Sequence, residues 1–165
     1  MIKPTILTII ISLLFISEME GQVTFQKTYG GMGNDLAYSV QQTTDGGYVM
    51  TGYTNSFGAG NYDVYLIKTD AEGDVKWTKT FGGTDVDWGY SVQQTSDGGY
   101  IIVGWTFSFG TNESVYLIKT DSNGDSLWTK TFGGTDFDNC SFVQQTSDGG
   151  YIMTGMSRSF STLDN

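Results

Sequence analysis

The chain repeats itself, and a repeat limits the available folds more than any single motif does. Residues 45–54 read DGGYVMTGYT, residues 97–106 DGGYIIVGWT and residues 148–157 DGGYIMTGMS. These blocks are offset by 52 and then 51 residues. Other blocks keep the same register: SVQQTTDGG from Ser39, SVQQTSDGG from Ser91 and FVQQTSDGG from Phe142. DVYLIKTD from Asp63 pairs with SVYLIKTD from Ser114. VKWTKTFGG from Val75 pairs with SLWTKTFGG from Ser126, and VTFQKTYGG from Val23 is an earlier copy of that block. A period near fifty residues marks one supersecondary unit per repeat, each burying its apolar faces against its neighbours.

Each period holds four strand candidates. In the second repeat they cover 90–95, 99–106, 114–120 and 126–132, all rich in Val, Ile, Tyr, Trp and Thr. Ser96-Asp97-Gly98 joins the first two, with an aspartate that bonds its own downstream amides and glycines free to take positive φ. Asp121-Ser122-Asn123-Gly124-Asp125 joins the last two, again with hairpin chemistry. The middle connection varies, 55–62 in one repeat and 107–113 in the next, and takes up the one-residue difference between the offsets, as an exposed loop does. No stretch beyond the N-terminal leader carries a helix-period apolar stripe.

The strand faces narrow the choice. A sandwich strand has one dry face and alternates strictly. Tyr100-Ile101-Ile102-Val103 and Val115-Tyr116-Leu117-Ile118 are apolar on both faces, so the sheet they belong to must be covered on both sides. Radially stacked four-stranded sheets provide that cover. The fourth strand is the most polar, with lysines that suit an outer edge. Gly52, Gly104 and Gly155, inside the second strand, suit a crowded inner position. The expectation is an all-β chain of β-propeller-type blades.

These blocks resemble the bacterial and archaeal surface-protein β-propeller repeats, whose pattern runs roughly GG…D…AYSV…TDGGYI…GxT…DxYLIKTD…G…xW. The match covers residues 25 to about 160. The third repeat departs from it, with Cys140-Ser141-Phe142 where the others have Ala37-Tyr38-Ser39 and Gly89-Tyr90-Ser91. The resemblance implies an exported protein of the kind found in Bacteroidota-like bacteria. Such repeats often stand beside adhesion or hydrolase modules or a C-terminal type IX sorting domain, with no activity assigned to the repeat itself.

The N-terminus fits export. Lys3 precedes an almost wholly apolar run over 5–16, and residues 17–21 turn polar and acidic. That order predicts a signal peptide over 1–21, with an apolar core too short to span a bilayer. The formal net charge of −10 repels phosphate backbones, so nucleic acid is not an expected partner. The chain has no histidine, which removes the commonest general base and zinc ligand. The single cysteine, Cys140, allows no intrachain disulfide and replaces a small residue, as a buried hydrophobe does.

Candidate sites follow from the repeat. Asp35, Asp87 and Asp138 precede the first strand of each repeat. They could form an acidic ring for a cation or a basic ligand; the plainer reading is that each bonds amides of its own turn. Phe57, Phe109 and Phe160 lie in variable loops beside serine and glycine, where an exposed aromatic suggests contact with a ligand. Tyr48, Tyr100 and Tyr151, Tyr65 and Tyr116, and Trp77 and Trp128 sit on strands and read as core. The 121–125 loop lacks the glycine and glutamate spacing of an EF-hand, so no metal site is expected. Glycosidase chemistry needs two carboxylates with split pKa values, and equivalent repeated aspartates give no reason for a split. No catalytic residue and no cofactor is expected.

The strand count then gives residues 22–28 as a lone fourth-type strand. Repeats of about 29–80 and 81–131 follow, then an incomplete one over 132–165. This is about two and three-quarter blades, an open arc. It predicts a truncated gene product or a module completed by other copies, with self-association through open blade edges. The functional expectation is a non-catalytic, secreted or cell-surface module that scaffolds or binds protein or glycan. The alternative is a fragment of a secreted propeller hydrolase whose catalytic residues lie outside this chain.

Overall fold

The computed structural model describes residues 25–159; the leader expected over 1–21 and Phe160 lie outside the described residues. The described part is all β. Ten strands follow in chain order: β1 Asp35–Gln42, β2 Tyr48–Thr54, β3 Asp63–Thr69, β4 Val75–Phe81, β5 Asp87–Gln94, β6 Tyr100–Thr106, β7 Ser114–Thr120, β8 Ser126–Phe132, β9 Asp138–Gln145 and β10 Tyr151–Ser157. They form two four-stranded antiparallel sheets, β1-β2-β3-β4 and β5-β6-β7-β8, and a two-stranded sheet of β9 and β10. Each sheet is one period of the sequence.

The sheets stack face to face, and alternate residues of the middle sheet feed two separate cores. On one side Val92, Tyr100, Ile102, Tyr116 and Ile118 meet Val49, Val64 and Leu66 of the first sheet. On the other, Ile101, Val103 and Leu117 meet Cys140 and Val143 of the third. Strand β6 is therefore buried at every position, whereas β10, covered on one face only, is largely exposed. The two-sided apolar pattern has this consequence, since period-two alternation places neighbouring residues on opposite faces. The polar strands β4 and β8 lie at the outer edges, as their lysines predict.

The first strand of each repeat begins earlier than its apolar pattern indicates. β5 starts at Asp87, three residues before the expected 90, because the Asp87 N–H donates to Tyr62 O at 2.7 Å and Asp87 pairs with Thr106 across the ladder. The register then shifts between Ala37 and Ser39, between Gly89 and Ser91, and opposite Thr154 and Gly155. These are β-bulges, and they explain the second-strand glycines. At the bulge the first strand leans in, and a Cβ on Gly52, Gly104 or Gly155 would land on the carbonyl oxygen of Leu36, Trp88 or Asn139.

One expected strand is corrected. Within residues 22–28 the described part, 25–28, belongs to no ladder. It nevertheless packs as β4 packs against the next sheet. Phe25 meets Tyr48 edge-on at 5.7 Å, as Trp77 meets Tyr100 at the same distance. Lys27 pairs with Asp74 at 2.5 Å as Lys79 pairs with Asp125 at 2.6 Å. Without a neighbour to supply hydrogen bonds, the same sequence keeps the packing and loses the strand.

Gly104→Ala forces backbone apart in the core and should cost about 3 kcal/mol, the upper part of the overpacking range. Gly98 has φ of +82° and open space around it, so Gly98→Ala should cost only about 1 kcal/mol. Urea unfolding of the two variants checks the order; equal costs would place the strain elsewhere than the bulge.

Candidate functional site

The three sequence-marked aspartates do the same local work. Asp87 accepts from the Gly83 N–H at 2.9 Å, from Ser108 Oγ at 2.6 Å and from Thr106 Oγ1. Asp35 accepts from Gly31 N at 2.8 Å, Ser56 Oγ at 2.7 Å and Thr54 Oγ1. Asp138 accepts from Gly134 N at 2.9 Å, Ser159 Oγ at 2.6 Å and Ser157 Oγ. Each carboxylate thus ties three segments of its own repeat: the glycine turn before the first strand, the end of the second strand, and the loop beyond it. Burial pushes the Asp138 carboxyl up, but the Ser157 and Ser159 hydroxyls and the Gly134 amide outweigh it and bring it down to about 2. Asp87 and Asp138 are 0% and 1% exposed. A set of carboxylates facing a ligand is thereby corrected to three internal ties, because the oxygens are spent on donors of the same repeat. Asp63 is buried beside this system, with amides of Ala59 and Gly60 on its Oδ2. Burial, and after it the charge of Asp87, pushes its carboxyl up against the pull of those amides.

The DGGY aspartates hold a second device. Lys68 and Lys119, both 3% exposed, reach Asp45 and Asp97 at 2.9 Å and donate to the carbonyls of Thr69 and Thr120 at 2.8 Å. The lysine of the YLIKT block is therefore a latch onto the first hairpin. The 121–125 loop is a turn: Asp121 N donates to Asp125 O at 2.9 Å, and Asp121 Oδ1 accepts from Asn123 and Asp125 amides. Among the described residues no group of three or more acidic, cysteine or histidine side chains could hold a metal ion.

Of the loop aromatics, Phe57 and Phe109 are 48% and 40% exposed and lean on Tyr65 and Tyr116 at 5.8 and 5.5 Å. Each stays within its own repeat, close to the glycine turn that its aspartate holds. Tyr65, Tyr100 and Tyr116 are buried, as a core reading requires, and Trp77 and Trp128 pack on the two cores.

A larger aromatic assembly joins the first two sheets. Tyr53 at the end of β2 stacks on Trp88 of β5 at 4.6 Å and 24°. Tyr62 meets Tyr53 edge-on at 5.1 Å. Tyr38 meets Tyr90 at 4.8 Å, and Trp105 meets Trp88 at 4.9 Å and Phe107 at 5.3 Å. Seven rings thus form one connected patch at the sheet ends that carry the variable loops. Tyr38 and Phe107 are exposed, and the other five rings are at least partly buried. Trp105 Nε1 donates to Tyr90 OH at 3.1 Å, whereas the buried Nε1 of Trp88 has no protein acceptor.

The patch breaks the repeat. The next junction has Glu113 where the first has Tyr62, Asn139 where it has Trp88 and Met156 where it has Trp105, with Trp105 itself in the place of Tyr53, and there Asn139 donates to Glu113 at 3.1 Å. Sequence reading missed this patch because its rings come from five separate segments, at 38, 53, 62, 88–90 and 105–107. The signal available was non-equivalence: Trp88 stands where Leu36 and Asn139 stand in the other repeats.

No protein-family model matches the chain. It is similar to the regulatory protein FlaEY of Caulobacter vibrioides, 28% identical over 115 residues that cover 61% of this chain. The match spans only 12% of that protein.

The Thr95 hydroxyl, and then the Lys119 ammonium, hold the Asp97 carboxyl down at about 2, below its ordinary 3.8. A depressed folded-state pKa adds stability above the unfolded value, and that stability is lost as pH falls through the folded value. The urea midpoint should therefore drop between pH 4 and pH 2, and Asp97→Asn should flatten part of that slope. An unchanged slope in the variant would mean the latch is unpaired in solution.

Proposed function

We propose that this chain is a non-catalytic, secreted or cell-surface module of β-propeller-type blades that binds glycan through the aromatic patch of the first junction. The propeller reading is supported by sheets that stack face to face in chain order, each with its first strand against the first strand of the next. Export is supported by the basic, apolar and polar order of residues 1–21. The observation that carries the binding reading is the patch itself: seven rings, two of them Trp, concentrated at one end of one junction and absent from the equivalent junction. A repeat that served packing alone would have no reason to differ there. Ring faces stack on the C–H faces of sugars, and Tyr38 and Phe107 present exposed rings there.

The hydrolase alternative draws less support. The neighbouring carboxylates Asp63 and Asp87 are 1% and 0% exposed, out of a substrate's reach. A scaffolding or protein-binding role uses the same patch with a different partner and is an outcome of the test.

The test is a glycan array followed by calorimetry and tryptophan fluorescence with the best oligosaccharide. Tyr38 is 44% exposed, so Tyr38→Ala should leave folding intact and weaken binding about tenfold, the weight of one aromatic contact. Bound sugar should also shift the emission of Trp88. A blank array with folded protein, or binding indifferent to Tyr38→Ala, contradicts the reading.

A further inference from the structure

The two outermost faces of the stack are the two halves of an interface that the molecule already makes twice. Between the first and second sheets, Gln41 Oε1 accepts from Gln94 N at 2.6 Å, and Gln94 Oε1 accepts from Thr44 N at 2.9 Å. Between the second and third, Gln93 Oε1 accepts from Gln145 N at 2.6 Å, and Gln145 Oε1 accepts from Ser96 N at 2.9 Å. Each junction is thus a reciprocal glutamine pair, with alternate residues of the two sheets forming an apolar core behind it.

At the two open faces each half of that pair stands alone. The third sheet presents Gln144, equivalent to Gln41 and Gln93, and Ser147, equivalent to Thr44 and Ser96; both are exposed. The first sheet presents Gln42, equivalent to Gln94 and Gln145, also exposed. The apolar positions behind them match too. Phe142, Ile152 and Met156 on the third sheet are 53%, 57% and 44% exposed, and Leu36 and Val40 on the first are 44% and 64% exposed. By the internal register, Met156 would face Leu36, as Tyr53 faces Trp88. Residues 25–29 already cover the outer part of the first sheet's open face, through Phe25 on Tyr48 and Tyr29 OH on the Gly73 carbonyl at 2.9 Å. What remains there is a cavity of about 230 Å³, lined by Leu36, Ala37, Met50, Gly52, Tyr65 and Ile67 among others, over the inner strands. The third sheet has those inner strands, β9 and β10, to offer.

We infer that a second copy of this chain docks head to tail, the open face of its β9-β10 sheet covering the open face of the first sheet. Gln144 then accepts from the partner subunit's Gln42 amide, and the partner's Gln42 side chain accepts from the Ser147 amide. The occupant is a copy of this chain because its own repeat supplies both halves of the glutamine pair in register. The contact is heterologous, so each chain has one head face and one tail face. The third sheet departs from strict equivalence at Phe142, where Ser39 Oγ and Ser91 Oγ accept from the Val92 and Val143 amides at 3.3 and 3.4 Å. Phe142 exchanges that acceptor for apolar area on the docking face.

Sedimentation velocity of the full chain tests this, with two variants at exposed positions. Ile152→Glu breaks the third-sheet face and Val40→Glu the first-sheet face. The unaltered chain should associate at micromolar concentration, and each variant alone should dissociate at least tenfold more readily with an unchanged circular dichroism spectrum. Mixed one to one, the variants should form a heterodimer through the one interface left intact. A monomer up to about 100 μM, association that survives either variant, or a mixture that stays monomeric would each overturn the proposal.

Discussion

An edge strand leaves every second backbone N–H and C=O pointing away from its sheet, and burying those groups unpaired costs about as much as a lost hydrogen bond. Strands β1, β5 and β9 are such edges, and they face one another at the inner side of the stack. Too far apart for a backbone ladder, they are joined by side chains that imitate one. Gln41 and Gln93 accept the outward amides of Gln94 and Gln145, and Ser39 and Ser91 those of Val92 and Val143. The rest of the stack depends on this. With the inner edges satisfied, the sheets can close face to face and bury Tyr100, Ile101, Ile102 and Val103 on alternate sides.

The glutamines fix one end of a chain of local devices. The bulge beside them tilts the first strand onto the second-strand glycine. The aspartate at the start of the same strand gathers the glycine turn and the loop after the second strand. The DGGY aspartate at its far end takes the lysine of the third strand. A glutamine, two aspartates and a lysine in each of the first two repeats therefore position loops and sheets with no disulfide, as a chain with one buried cysteine requires. What is left to vary is the loop end, where Tyr62 and Trp88 at one junction become Glu113 and Asn139 at the next.

Much of the sheet architecture was legible in the sequence because period and burial pattern are properties of single segments. Residues apolar on both faces read directly as strands covered on both sides, and Asp-Gly turns read as hairpins. The function of SVQQ was not legible: a glutamine pair between strands 52 residues apart appears in sequence only as repetition, which packing also produces. The aspartates were legible as turn residues, but not as buried ties, because their serine and threonine donors lie 19 to 21 residues downstream. Residues 25–28 carry the sequence of a strand and no ladder, because strand formation requires a partner that no local pattern encodes. The aromatic patch was hidden for a related reason. Its members are ordinary strand aromatics singly, and only the stacking of two sheets brings Tyr53 over Trp88.

The central claim is that side-chain amides substitute for a ladder between the inner strands. Native-state hydrogen exchange resolved at single amides tests it directly. The account predicts that the Gln94 and Gln145 N–H groups exchange slowly, with the protection of core amides in β6. It also predicts that Gln93→Ala releases Gln145 while leaving Gln94 protected. Exchange of the Gln94 and Gln145 amides at the rate of exposed loop residues, or no response of Gln145 to Gln93→Ala, would contradict it.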